Sequence, residues 1–320
     1  MTTVNQQEVL ASFKVLVSMA KADGKLLEEE FVSLADSFEE IHLPEGITVD
    51  RLLNEDDEPI DRLLSQITSD IAQEMVYQSA YAMANIDGEC STEEKELLEK
   101  IGITFSTSKL WGRAEWLETL ERRSTRSSIS EQVRQIDDPE KRAIEVDNSI
   151  TDTCFLNAVL GAFPLPGIAI AFDMLVYWNQ LDLAQTIGQS WGYDRANENL
   201  RKALFGSLGI TGTRIAISNL AKLVPVFGMV VGATTAYAST WALGKVANEY
   251  FASGGEMDAF SLRQAFKKAK KEGEAVYKTK ADEIAAKKEA IEPQMQLLNE
   301  DLKSGNITPD EYQAKLKELL

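Results

Sequence analysis

Two stretches of this chain, residues 153–172 and 223–244, contain no charged side chain, and they limit what it can fold into more than any other feature. A helix needs about 20 apolar residues to cross the hydrocarbon of a bilayer. Both stretches reach that length, so each is either a membrane-inserted segment or the buried centre of a helical domain. Each also carries a break: Pro164, Pro166 and Gly167 in the first, Pro225 and Gly228 in the second. Proline has no backbone N–H and its ring clashes with the preceding helical turn, so the first stretch is expected as two half-helices meeting at a bend. A bend exposed to lipid would strand backbone polar groups. That leaves a re-entrant hairpin, a kinked span packed on another helix, or a soluble core. In the second stretch Gly228, Gly232, Ala236, Thr240 and Gly244 recur every four residues. Such a stripe of small side chains lets helices approach closely in a membrane, and it would serve a tight soluble bundle equally.

Charge divides the chain further. At 320 residues two domains are expected, and the net charge of -18 is concentrated at one end: residues 1–110 hold 23 Asp and Glu against 8 Lys and Arg. So acidic a domain repels phosphate backbones, which argues against nucleic acid as a partner and for a cation or a basic protein. Cys90 and Cys154 are far apart and outside any C-x-x-C pattern, so neither a disulfide framework nor a zinc site is expected. The single histidine, His42, precedes Leu43-Pro44 and reads as a loop or helix-end residue. No nucleophile-elbow, phosphate-loop or zinc-protease pattern is present. The chain therefore reads as non-enzymatic. Its first eight residues lack the basic-then-apolar order of a signal peptide, and a reducing, cytoplasm-facing setting is expected.

Within the acidic region a pattern occurs twice. Asp23-Gly24 is followed by Glu29-Glu30 and the apolar Phe31, Leu34 and Phe38; Asp87-Gly88 is followed by Glu93-Glu94 and Leu97, Leu98 and Ile101. Each copy reads as helix, turn, helix. Ser91 three residues before Glu94 predicts a capping box at the second helix start, which the first copy lacks because Leu27 stands in the equivalent place. The Asp-Gly-to-Glu spacing matches the second half of an EF-hand loop. Its first ligand position would fall on Met19 or Met83, and a thioether does not ligate a hard cation, so an ordinary EF-hand is excluded. Two readings stay open. Asp23, Glu29, Glu30, Asp87, Glu93 and Glu94 pool into one divalent-cation site, or the acids favour the positive ends of the following helices.

These turns carry a resemblance. Residues 1–105 resemble the TerB-like domain of bacterial tellurite-resistance and stress systems, which implies an all-helical fold and a cation, calcium or another divalent ion, at those six carboxylates. Residues 106–152 change character, with Trp111, Trp116 and the arginines 122, 123 and 126, and read as a linker or helical connector. In residues 153–254, the run 161–167, Trp191-Gly192-Tyr193, the run 222–228 and Leu243-Gly244 resemble the YcjF-type domain of unknown function (number 697), counted as a membrane segment and often found after GTPase domains. No GTPase precedes it here, so nucleotide hydrolysis does not carry over. Residues 255–292 read as one long charged helix with a basic cluster at Lys267, Lys268, Lys270 and Lys271, ended by Pro293. Residues 293–320 resemble the short C-terminal domain called SHOCT, a helical hairpin with Gly305 closing one helix and Thr308-Pro309-Asp310 opening the next. A hairpin so small is expected to dock on a partner protein or on its own dimer.

The expectation is thus an all-α protein: an acidic TerB-like domain, an apolar membrane-associated domain with a transmembrane helix, and a C-terminal hairpin. Its function is expected to be that of a stress-linked adaptor at the cytoplasmic face of a bacterial membrane. The alternative is a cytoplasmic, soluble structural protein whose apolar block is an assembly core.

Overall fold

Helix boundaries in the computed structural model follow local chemistry. The structure describes residues 4–22, 34–35, 38, 47–54, 58–85, 90–105, 135–163, 169–194, 201–208, 212–221, 223, 230–304, 306–307 and 309–319. The chain is all-α, and among the described residues no strand occurs. Two units emerge: Met1–Glu115 with Leu165–Met174 and Gly209–Gly228, and Trp116–Pro164 with Leu175–Leu208 and Met229–Leu320. The block 153–254 is therefore shared between them.

In the first unit, Asn5 caps α1 (Gln6–Ala20) by accepting from Glu8 N, and Phe13, Leu16 and Met19 on that helix are fully buried. Two short helices follow, α2 (Val49–Asn54) and α3 (Ile60–Ser65), then α4 (Asp70–Asn85) and α5 (Thr92–Thr104). α1 packs on α4, and α5 packs on α4 as well. A buried carboxylate ties the start of α4 to α1: Glu8 Oε1 accepts from Thr68 N at 2.8 Å and Ser69 N at 2.6 Å. These are donors that a helix start leaves without intrahelical partners. A later helix, α8 (Gly212–Ala221), joins the same core against α4, where Asn219 Nδ2 donates to Ser79 Oγ at 2.9 Å.

The second unit contains α6 (Pro139–Gly161), the part of α7 (Ala169–Ser190) from Leu175 onward, a π-helical turn (Arg201–Gly206), α9 (Val230–Ala252), α10 (Ala259–Ser304) and α11 (Pro309–Leu319). α7 and α9 both stop in the six-residue glycine motif that satisfies the last carbonyls of a helix. Tyr193 N donates to Gly188 O with Gly192 at φ +90°, and Gly255 N donates to Tyr250 O with Gly254 at φ +77°. Trp191 is held between two helices: its Nε1 donates to Asn248 at 2.8 Å, and the Arg142 guanidinium lies 3.8 Å from its ring centre.

α9 packs against both α6 and α10. Its small-residue stripe faces α6: Gly232 and Ala236 meet Gly161, Thr240 meets Asn157, and Gly244 meets Ile150. The order runs down one helix as it runs up the other, so the two are antiparallel. Ala238, Ala242, Leu243, Val246 and Ala247 of α9 are each no more than 1% exposed.

Two expectations are corrected. Among the described residues no helix is long and apolar enough to cross a membrane, so the expected transmembrane helix is not found there. The helix grown from the second uncharged stretch begins at Val230 and runs on through Lys245 and Glu249, and its centre is diluted by Thr234, Thr235, Ser239 and Thr240. Pro293, expected to end the charged helix, lies inside α10, which continues to Ser304. An interior proline costs about 3 kcal/mol. The buried stripe Ile284, Ile291, Met295 and Leu298 continues past it, and α11 covers this end, with Tyr312 Oη donating to Asn299 Oδ1 at 2.7 Å. Burying several such side chains at about 1.5–3 kcal/mol each outweighs the proline.

Candidate functional site

Of the six carboxylates expected to pool, the structure describes two. Glu94 sits in the capping box that opens α5: its N–H donates to Ser91 Oγ at 3.1 Å, and its Oε2 accepts from Ser91 N at 2.7 Å. Glu93 is exposed in the same first turn, beside the positive helix end. Asp23, Glu29, Glu30 and Asp87 lie outside the described residues. Among the described residues, no group of three or more His, Cys, Asp or Glu side chains could hold a metal ion. Capping chemistry is therefore the role that geometry gives Glu94.

The second unit holds a cavity of about 490 Å³ that the sequence reading did not anticipate. Its walls come from three helices: Thr151, Asp152, Phe155, Leu156 and Val159 of α6, Tyr237 of α9, and Lys280 and Glu283 of α10. Lys280 Nζ and Glu283 Oε2 pair at 2.9 Å, and the Thr151 hydroxyl donates to the Asp147 carbonyl at 2.8 Å. Tyr237 is 1% exposed, and its hydroxyl has no hydrogen-bond partner among the described residues. Its ring meets Tyr277 edge-on at 5.7 Å and stacks on Trp241 at 6.4 Å.

Two buried side chains, Tyr237 of the cavity wall and Cys154 of α6, are poor nucleophiles. Burial, with smaller contributions from Cys154 and Glu283, pushes the Tyr237 phenol up to about 12. Burial likewise pushes the Cys154 thiol well above its usual value, against a lesser lowering by Lys245. Both stay protonated at neutral pH, and a thiol rather than a thiolate is unreactive.

Beside the cavity, a polar network runs through the apolar core. Asn157 Nδ2 donates to Thr240 Oγ1 at 2.9 Å, Gln180 Nε2 donates to the same oxygen at 3.0 Å, and Asn179 Nδ2 donates to Asn157 Oδ1 at 2.8 Å. The signal for it lay in the sequence. Each uncharged stretch contains polar residues that no apolar core accepts without a partner, Asn157 in one and Thr240 in the other.

No protein-family model matches the chain, and no curated protein and no solved structure matches it. The class defined here is that of an all-α chain with a covered apolar helix.

Proposed function

We propose that the chain is a non-enzymatic helical adaptor in which the apolar block forms an internal core and the acidic N-terminal region responds to a divalent cation. One observation carries the first half of this reading: α9, the most apolar helix of the second unit, packs between α6 and α10, and its central residues are buried there. A segment so covered presents little apolar surface for lipid. The non-enzymatic part of the reading rests on the sequence, which carries no nucleophile-elbow, phosphate-loop or zinc-protease pattern. The cation response and the link to stress rest on the paired Asp-Gly turns and their TerB-like resemblance. The small C-terminal hairpin, whose α11 seats Tyr312 and Leu316 in buried positions, is the element proposed to dock a protein partner.

Extraction tests this reading. The full chain is expected to leave the particulate fraction with salt or carbonate alone; a requirement for detergent would overturn it.

A further inference from the structure

We infer that the outward face of the start of α10 is a docking surface for an anionic lipid bilayer, engaged from the side and without insertion of a helix. In a chain of net charge -18, residues 259–271 hold Arg263, Lys267, Lys268, Lys270 and Lys271 and no acid. Leu262 and Ala269 are buried on the inner side of this helix, while Phe260 is 71% exposed and Lys267, Lys268 and Lys271 are exposed with it. Positions 260, 267 and 271 recur at seven- and eleven-residue intervals, so they share one side of the helix. Lys267, Lys268 and Lys271 have no ion-pair partner among the described residues, in contrast to Lys280 further along, which pairs with Glu283. Arg263 is different again: its Nε donates to the Ser207 carbonyl at 2.8 Å and fixes this end of the helix in place.

An exposed aromatic beside unpaired lysines on one helix face suits contact with an anionic surface, where the ammonium groups meet lipid phosphates and the ring lies at headgroup level. The row is about 17 Å long at 1.5 Å per residue. A lysine near an anionic leaflet strengthens attachment by about 1 kcal/mol, or about fivefold. Charge elsewhere on the chain is screened beyond about 10 Å at 0.1 M salt; within that reach Asp258 and the exposed Glu272 and Glu274 oppose the five cations, and the segment 258–274 keeps a positive balance. This inference goes beyond the adaptor reading and does not depend on it, since a cytosolic adaptor without lipid affinity remains an adaptor.

The test floats the full-length protein with vesicles of phosphatidylcholine alone or mixed with phosphatidylglycerol. Binding is expected only to the mixed vesicles, with release at high salt. The triple variant K267Q/K268Q/K271Q is expected to bind about 100-fold more weakly, and Phe260→Ser several-fold more weakly, each with an unchanged melting temperature because these side chains are exposed. Lys95→Gln with Lys315→Gln, two exposed lysines elsewhere, is the control and is expected to bind as the wild type does. Equal binding to both vesicle types, no binding to either, or undiminished binding by the triple variant would overturn the proposal. So would salt-sensitive self-association that the triple variant loses without any vesicle binding, because the face would then recognise an acidic protein surface.

Discussion

Asn157 and Thr240 lie 83 residues apart in sequence, yet Asn157 Nδ2 donates to Thr240 Oγ1 at 2.9 Å with both side chains fully buried. Each comes from one of the two uncharged stretches, so this hydrogen bond fixes how α6 and α9 are registered against one another. Thr240 also accepts from Gln180 and donates to the Ala236 carbonyl at 2.7 Å. Its hydroxyl therefore satisfies two buried amides at once.

Replacing Thr240 by valine keeps the shape and removes that acceptor. Leaving buried donors without it costs about 1–3 kcal/mol, so Thr240→Val is expected to lower unfolding free energy by about 2 kcal/mol in urea titration, while Thr240→Ser, which keeps the hydroxyl, loses less than about 1 kcal/mol. Equal stabilities for the two variants would mean that the network contributes nothing.

The contact at the other end of the same pair of helices is steric. A Cβ on Gly161 would lie 2.7 Å from the Gly232 carbonyl oxygen and 3.0 Å from Ala236 Cβ, and a Cβ on Gly232 would strike the Gly161 carbonyl oxygen. Those carbonyls are backbone atoms and cannot swing aside. Gly232→Val is expected to cost about 1–3 kcal/mol by forcing the helices apart. A Cβ on Gly206 meets nothing within 4 Å, and Gly206→Ala is expected to change stability by less than about 0.5 kcal/mol. Thermal melts of both variants check the contrast.

Asp258 caps the start of α10, its Oδ1 accepting from Ser261 N at 2.7 Å. That hydrogen bond, made first by the Ser261 backbone, holds the carboxyl below its ordinary value of 3.8. A depressed carboxyl contributes stability that is fully present above the ordinary value and is lost as pH falls through the folded one. The melting-temperature gap between wild type and Asp258→Ala is thus expected at neutral pH and to shrink as the solution is acidified below pH 3.8. A gap that widens in acid would contradict this assignment.

The acidic turns need the whole chain for their test, because α8, drawn from residues 212–221, packs on α4 and is absent from a fragment that ends with the acidic region near residue 110. A cation that binds the folded state alone raises stability by mass action. Calcium is expected to raise the melting temperature of the wild type and not that of Asp87→Asn with Glu94→Gln. Glutamine at 94 keeps an oxygen for the Ser91 N–H, so the capping bond survives the substitution. Equal shifts in both proteins would reduce the turns to helix caps.

Features written in local spacing were legible before the fold was known. Ser91 and Glu94, three residues apart, announced their capping box. The four-residue recurrence of Gly232, Ala236, Thr240 and Gly244 announced a close helix approach, although spacing could not say whether lipid or protein surrounded it. What a pattern cannot carry is the identity of a distant partner. Asn219 reaches Ser79 across 140 residues, and Glu8 caps a helix start 60 residues on; nothing near either residue points there. Pro293 misled for the opposite reason, since its local preference was overruled by the buried side chains on both sides of it. The cavity beside Tyr237 is assembled from three helices, and no one of them displays it.

Amide hydrogen exchange of the full chain in detergent-free aqueous buffer tests the central claim, that α9 is covered by the chain's own helices. The amides of residues 236–247, where Ala238, Ala242, Leu243 and Ala247 are fully buried, are expected to be among the slowest, exchanging only through global unfolding. Fast exchange of this segment in buffer, with protection gained only on adding micelles or bilayers, would contradict the claim.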